Sequence, residues 1–361
     1  MQMQSQTERL SGIMSKLNLC VIFGGASSEH EVSLLSAESV LRNIDYDKYN
    51  VHKIFISKKG EWYYYDGADD CLNTLDHDTE SLDRAIISPD TSEKAIIRFT
   101  ENGITKHPID VVFPVLHGKN GEDGTIQGLF ELAGIPYVGT GVIGSAVCMD
   151  KCVAKAMFAR AGIPQADWVE LKKGENKIAE IEEKLGYPCF VKPSNAGSSV
   201  GITKAHNRSE LESGIETAFK EDYKILVERM MTGTEVESSV IGNTDPVCAP
   251  VVGEIAPAAE FYDYDAKYNN AASILTIPAN LKPEVVEKLR RYAVKAYKAC
   301  ECRGLSRVDF FVDKDSGEVF LNEINTMPGF TSISMYSKLW NASGLSYSEL
   351  INKLIDLAFV R

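Results

Sequence analysis

No stretch of this 361-residue chain strings together the roughly 18 apolar residues that a membrane-spanning helix needs. Residues 1–13, MQMQSQTERLSGI, are polar and hold no apolar core of the kind a secretion signal carries. They read as an added or early-start segment ahead of Met14. Excess positive charge is also missing. The 38 Lys and Arg stand against 51 Asp and Glu, a net charge of −13 and a pI near 5.1. A broad polyanion-binding surface is therefore excluded, and with it nucleic acid as a partner; an anionic ligand needs a local cluster of Lys and Arg. No C-x-x-C pair occurs among the eight cysteines, so a structural zinc site is not expected. Scattered, reduced core thiols in a cytoplasmic protein fit that spacing better than disulfides.

What is present is ordinary for a globular protein: 44% hydrophobic and 25% charged residues, with length for two or three domains. One stretch organises the rest, Gly304–Ser334. Leu305–Val312 is apolar and β-prone but carries Arg307 and Asp309, which share a face because they sit two apart. Asp313–Glu318 reads as a polar turn, and Val319–Ile324 as a second strand bearing Glu323, with Asn325 on the same face. Pairing as a hairpin would gather Arg307, Asp309, Glu323 and Asn325. Two carboxylates and an amide oxygen suit a hard cation such as Mg²⁺ that keeps phosphate and water as its other ligands. Arg307 beside them suits an oxyanion. The bland alternative is a salt-bridged edge hairpin. Four such residues ahead of the Gly/Pro-rich Asn325–Gly329 favour a metal-phosphate site.

Elsewhere strands alternate with helices. Asn18–Phe23 is a buried strand entering Gly24–His30, then a helix with Val32, Leu34, Leu35, Val40, Leu41 and Ile44 at helical spacing. Ser28 and Glu31 have capping-box spacing there. This loop departs from G-x-G-x-x-G, so a dinucleotide reading is weak, and Glu29 suits an ammonium better than an anion. Val51–Ile56 and Glu61–Tyr65 read as strands, residues 66–95 as irregular surface, Asp110–Leu116 as a strand and Thr125–Ala133 as a helix. The alternation over 17–145 implies a parallel sheet with helices on both sides. His117, in the Gly-rich loop 117–124, reads equally as a site residue or a spacer. Lys151–Ala161 is helical. Strands Tyr187–Lys192 and Val200–Lys204 flank Pro193–Ser199, whose small residues suit backbone cover of phosphates with Lys192 at the base. Ser209–Phe219 is helical, Lys224–Glu228 a strand, and Thr234–Ile241 with Val247–Glu254 an antiparallel pair. Ala256–Pro278 has little periodicity and reads as a lid or an ordered surface loop. Pro283–Cys302 and Leu345–Phe359 are amphipathic helices.

VKPSNAGSSVGI (191–202), ILVE (225–228), SRVDFF (306–311) and NEINTMPGFT (322–331) resemble the ATP-grasp ligases. With GGASSEHEVSLLSA (24–37), HGKNGEDGTIQG (117–128) and FYDYDAKY (261–268), the resemblance narrows to the D-alanine–D-alanine ligase family and covers about residues 18–358. It implies an α/β fold: an N-terminal parallel-sheet substrate domain (17–145), then a two-part, α+β ATP-grasp fold (146–235 and 236–361). It also implies ATP-dependent joining of two D-alanines through a D-alanyl phosphate for peptidoglycan precursors, in a cytoplasmic homodimer. By the same resemblance Lys151, Lys192 and Ser199 contact ATP phosphates, Glu228 the adenine amino group and Glu235 the ribose. Asp309, Glu323 and Asn325 bind two Mg²⁺ (or Mn²⁺). Arg307 and the Gly329 backbone stabilise the tetrahedral oxyanion. Glu29 takes the first D-alanine's ammonium, Ser198 and Tyr268 link to Glu29, Lys267 reaches phosphate from the lid, and Ser334 binds the second substrate's carboxylate. Ile333 stands where many members have a polar residue in T-S-x-S.

The rival readings are a ligase making D-alanyl-D-lactate or D-alanyl-D-serine, and a non-catalytic ATP-binding module. Tyr268 and the apolar Met335 favour dialanine. A module should lack Arg307 or a metal ligand, and neither is missing. A nicotinamide-dependent oxidoreductase is set aside for want of its glycine fingerprint.

Overall fold

A computed structural model describes residues 15–70, 72–77, 79–197, 200–256 and 274–360. The chain opens with β1 (Leu17–Gly24), α1 (His30–Asn43), β2 (Tyr49–Ile56), β3 (Trp62–Tyr64), β4 (Arg84–Ile87), β5 (Ala95–Thr100), β6 (Gly103–Pro108), β7 (Val111–Val115), α2 (Thr125–Ala133) and α3 (Val142–Met149). The strands form one sheet in the order β6-β5-β4-β3-β2-β1-β7. Along β1, Leu19, Val21 and Phe23 pack with Leu34, Ala37, Val40 and Leu41 of α1. Cys20 and Ile22 point the other way, onto Ile126, Phe130 and Ala133 of α2. Period two in the strand thus serves two helical stripes, as a strand buried on both faces requires.

The parallel pairing holds for β2-β1-β7 only; β3 to β6 add an antiparallel meander. The irregular reading of 66–95 missed β4, whose Ala85 and Ile87 are buried although acidic residues surround them. The expected capping box is not formed: Glu29 is the cap residue of α1 and its side chain accepts from no N–H of the first turn, while Glu31 pairs with Lys58. A glycine fingerprint does occur at Gly139-Thr-Gly-Val-Ile-Gly144, contrary to expectation. It follows only an isolated bridge at Tyr137, and a Cβ on Gly144 would strike the carbonyls of Cys300 and Glu301, so Gly144 serves packing.

Next come α4 (Lys151–Arg160), β8 (Trp168–Lys172), α5 (Ile178–Lys184), β9 (Cys189–Pro193), β10 (Thr203–Ala205), α6 (Arg208–Glu221) and β11 (Lys224–Arg229). The antiparallel sheet β10-β9-β11-β8 buries Val191, Ile225 and Val227 against Ile181, Leu211 and Ala218 of its two helices. The last part contains β12 (Thr234–Ile241), β13 (Val247–Cys248), β14 (Gly253–Ala256), β15 (Ile274–Thr276), α7 (Pro283–Ala299), β16 (Leu305–Val312), β17 (Val319–Asn325), α8 (Met335–Ala342) and α9 (Tyr347–Ala358). Its sheet runs β15-β14-β12-β16-β17 with β13 beside β12. The single strand expected at 247–254 is thus two. Val308, Phe310 and Val312 pack under Leu289, Ala293 and Tyr297 of α7, leaving the alternate face of β16 for charge. The seven cysteines among the described residues are buried and free of disulfides.

The two ends of the chain share a core. Leu350, Ile351, Leu354 and Ile355 of α9 join the α1 face of the first sheet. Phe330 is the pin: it meets Phe113 of β7 edge-on, with ring centroids 5.6 Å apart, and packs on Tyr336 and Tyr347. Its N–H donates to Ser36 Oγ at 3.2 Å, and its carbonyl accepts from the Tyr347 hydroxyl at 2.5 Å. Phe330→Ala should lower stability by about 3–5 kcal/mol, the usual cost of emptying a buried aromatic site. Chemical denaturation checks this; a loss under about 1 kcal/mol would mean that the ring is not the pin.

Candidate active site

The β16–β17 hairpin carries the residues the sequence set apart. Its turn is closed by Asp313, whose Oδ1 accepts from Ser316 N at 2.8 Å and from the Ser316 hydroxyl, while Gly317 supplies the left-handed residue at φ +69°. The register then sets Arg307 opposite Asn325 and Asp309 opposite Glu323, with an irregularity after Asp309. All four line one cavity of about 590 Å³. Arg307 grips Asp309 with two bonds, Nε to Oδ1 at 2.8 Å and Nη2 to Oδ2 at 2.7 Å, and lies 3.2 Å from Glu237 Oε1. Asn325 Nδ2 donates to Asp309 Oδ2 at 3.0 Å, which leaves its amide oxygen as the group suited to a cation. Two carboxylates and one amide oxygen cannot fill the shell of a hard cation alone, so phosphate oxygens or water would complete it.

Across the cavity stands a second charged group. Glu228 of β11 pairs with Lys192 of β9 at 2.6 Å and with Lys155 of α4. Burial opposes the Glu228 charge, but the two ammonium groups outweigh it and hold the carboxyl down to about 2. Burial opposes the Lys192 charge, but Glu228, with Glu323 and Glu235 adding to it, outweighs that penalty and holds Lys192 above its ordinary range. Lys151 reaches the same cavity from the first turn of α4 and donates to the Ala196 carbonyl at 2.5 Å. Glu235 lines it from β12.

The N-terminal sheet supplies the third wall. Glu29 is 8% exposed and sits between two glycine loops: a Cβ on Gly118 (φ +71°) or on Gly197 would displace its carboxylate. His117, left open by the sequence, is a buried tie. Its Nδ1 lies 3.0 Å from the Met327 carbonyl and its Nε2 3.0 Å from Ser36 Oγ. Ser36 Oγ in turn accepts from Phe330 N–H, so the hydrogen bonds assign a neutral ring with the proton on Nδ1. Burial depresses its pKa, in keeping with that form. Beyond it the loop 326–334 turns back: the Ser334 hydroxyl accepts from Thr331 N at 3.0 Å, and a Cβ on Gly329 would stand 2.9 Å from that hydroxyl.

Glu29, Lys151, Lys192, Glu228, Glu235, Arg307, Asp309, Glu323, Asn325, Gly329 and Ser334 thus face one cavity. Ser198, Ser199, Lys267 and Tyr268 lie outside the described residues, as does most of the expected lid. Three lining or supporting residues escaped the sequence reading. Lys155 follows Lys151 by one helical turn and Glu237 follows Glu235 by one strand repeat, so periodicity could have found both. Glu122 could not be found that way. It accepts from Gly118 N at 2.8 Å and Met327 N at 3.0 Å, a bridge between distant loops, and burial beside Glu29 pushes its carboxyl up to about 8.

The Glu228 cluster makes a pH prediction. With a folded value near 2 against about 4.3 unfolded, the folded chain binds fewer protons between those limits, so stability is retained above pH ~4.3 and drains as pH falls toward 2. Glu228→Gln should cost about 3–5 kcal/mol at neutral pH by stranding two buried ammonium groups. It should also flatten the acid limb of a stability–pH profile from denaturant melts; an unchanged limb would refute the assignment.

Two family profiles match the chain: D-ala D-ala ligase N-terminus over residues 18–140 and D-ala D-ala ligase C-terminus over 157–356. Among curated proteins, D-alanine–D-alanine ligases of Ruminiclostridium cellulolyticum and Acetivibrio thermocellus are 55% and 56% identical, each alignment spanning 96% of both chains. Among solved structures, a D-Ala:D-Ser ligase from Enterococcus faecalis superposes with a TM-score of 0.87 at 42% identity, covering 95% of this chain and 100% of that one. The D-alanine–D-alanine ligase of Coxiella burnetii gives 0.86 at 35%, covering 96% and 95%. With both profiles matched in order and relatives above 50% identity along nearly the whole length, this chain belongs to the D-alanine–D-alanine ligase family.

Proposed function

We propose that the chain joins two molecules of D-alanine at the expense of ATP, with the roles distributed as follows. The observation that carries this reading is the convergence of Arg307, Asp309, Glu323 and Asn325 on one face, opposite Lys151 and Lys192 in the same cavity. A carboxylate is a poor electrophile, and transfer of the ATP γ-phosphoryl group makes it an acyl phosphate. The amine of the second D-alanine attacks that carbonyl, and inorganic phosphate leaves. A structure of the Bacillus anthracis ligase, 29% identical, is of a complex with ATP.

Lys151 and Lys192 neutralise the phosphates, Glu228 accepts from the adenine amino group and Glu235 holds the ribose. Asp309, Glu323 and Asn325 would hold two Mg²⁺, an assignment supported by their all-oxygen donor set. Bound there, the ions would spread the charge of the transferring phosphoryl group. Arg307, whose fork grips Asp309, would be released in part by a cation on that carboxylate and would then offer its fork to the oxyanion with the Gly329 N–H. Glu29, half-enclosed by Gly118 and Gly197, receives the first ammonium. Ser334, at the N-terminus of α8, offers its hydroxyl to the second carboxylate, where the helix dipole favours negative charge. The likeness to a D-Ala:D-Ser ligase supports a rival second substrate, but buried Met335 beside that position favours a methyl group over a hydroxyl. A role in cytoplasmic peptidoglycan precursor synthesis, as a homodimer, completes the reading.

The test is phosphate release by purified protein with ATP and Mg²⁺, comparing D-Ala, L-Ala, D-Ala with D-lactate and D-Ala with D-Ser. Release with D-Ala alone at a rate that added D-Ser does not raise supports dialanine; release only with D-Ser present assigns the rival. In the same assay Asp309→Ala or Glu323→Ala should reduce turnover at least ~10²-fold, the scale of removing a transition-state charge stabiliser. Near-normal turnover at saturating Mg²⁺ would remove these residues from the metal site. Arg307→Lys keeps the charge and loses the fork, so kcat should fall far more than KM for ATP rises. A pure KM effect would make Arg307 a binding residue.

A further inference from the structure

We propose that Asp150, acting through Ser194 and Lys224, is a positioning residue that locks the start of α4 and the Pro193–Gly197 loop into one nucleotide-holding unit. The inference rests on the ligase reading above. None of the three lines the cavity, yet each touches a segment that does. Asp150 caps α4: its Oδ1 accepts from Val153 N–H at 3.1 Å and from the Ser194 hydroxyl at 2.7 Å, while Oδ2 pairs with Lys224 Nζ. The two charged side chains are 14% and 9% exposed. Ser194, fully buried, spends every polar group on the same joint. Its hydroxyl oxygen accepts from Cys152 N–H at 3.3 Å, its carbonyl from Lys151 N–H at 2.9 Å, and its N–H donates to the Lys224 carbonyl at 3.0 Å. A second carboxylate, Asp222, accepts from both nitrogens of Asn195 at 2.8 and 3.0 Å.

The consequence falls on cavity residues. Lys151 is the neighbour of Asp150, Lys192 lies two residues before Ser194, and the Lys151 ammonium donates to Ala196, two residues after it. The lock therefore sets the separation of the two phosphate-facing lysines and the height of the loop over them. A neutral acceptor could cap a helix equally well. A charged pair withdrawn from water is worth its desolvation only where geometry must be held, because breaking one partner strands the other. Burial opposes the Asp150 charge, yet hydrogen bonds from Lys224, Ser194 and Val153 outweigh it and keep the carboxyl below its ordinary range.

The experiment measures Kd for a non-hydrolysable ATP analogue with Mg²⁺ by calorimetry, beside KM for ATP and for D-Ala. Asp150→Asn keeps the cap and loses the charge; Lys224→Met keeps the stem. Each should raise Kd and KM for ATP roughly tenfold, the scale of one lost charge-assisted hydrogen bond, with KM for D-Ala within about twofold. The double variant should stay near tenfold, since both act through one pair. Ser194→Ala removes a single hydroxyl and should raise both nucleotide constants about threefold. It carries the decision should a charge variant fail to fold. A purely structural role would lower the melting temperature and leave nucleotide constants unchanged in Ser194→Ala and in every folded charge variant; that result overturns the proposal. Wild-type protein that binds the analogue but releases no phosphate with D-Ala would instead overturn the ligase reading, while a Kd shift in the variants would still uphold the lock.

Discussion

Burying charge is the constraint on which this structure depends. The cavity wall carries Glu228 and Lys192, backed by Lys155, on one side and Arg307, Asp309 and Glu237 on the other, all mostly withdrawn from water. An isolated ion in that position would cost several kcal/mol, so each must be placed within contact of an opposite partner. That requirement fixes relations between elements distant in sequence. Lys155 on α4 must face β11, and β12 must run beside β16 so that Glu237 meets Arg307. Sheets and helices supply the apolar framework, but the ion pairs choose among its possible registers.

The same constraint prepares the chemistry. Charges that satisfy one another without ligand could exchange partners if an anionic nucleotide and its cations bound, with only local side-chain movement. Arg307 illustrates the point, since its fork already points at the oxygens that a cation would claim. Preorganised charge in a water-poor cleft is where electrostatic catalysis gains most. Neither a nucleophilic serine nor a reactive cysteine is called for, and hydrogen bonding with the Cys300 and Cys302 thiols, together with burial, raises the pKa of Cys148, the one thiol on the cavity wall among the described residues, well above its ordinary range.

Legibility followed the range of the interaction. The Arg307–Asn325 face could be read because a strand alternates with period two and the Asp313 turn is local. The two lysines could be read from the motifs around them. The meander strand β4 was hidden because Arg84-Ala-Ile-Ile87 is short, has only two β-branched residues and sits among acids that read as surface; its burial comes from pairing with β5, where Ile87 faces Ile96, and from Ile109. Glu122 and His117 were beyond periodicity altogether. Each acts on the 327–330 loop some 200 residues later, and no local pattern announces such a partner. The glycine run at 139–144 was overlooked: its spacing matches a phosphate motif, yet a Cβ on Gly144 would meet the carbonyls of Cys300 and Glu301, so the fold and not the spacing decides its role.

The shared core of α1 and α9 has a consequence for the order of assembly. Strand β1 is among the first parts of the chain made, yet the apolar face it builds with α1 is completed by Leu350, Ile351, Leu354 and Ile355. During synthesis, at the usual pace of about 5–20 residues per second, that face waits some tens of seconds for its cover. The nascent chain therefore carries an incompletely covered apolar face until its last helix is made.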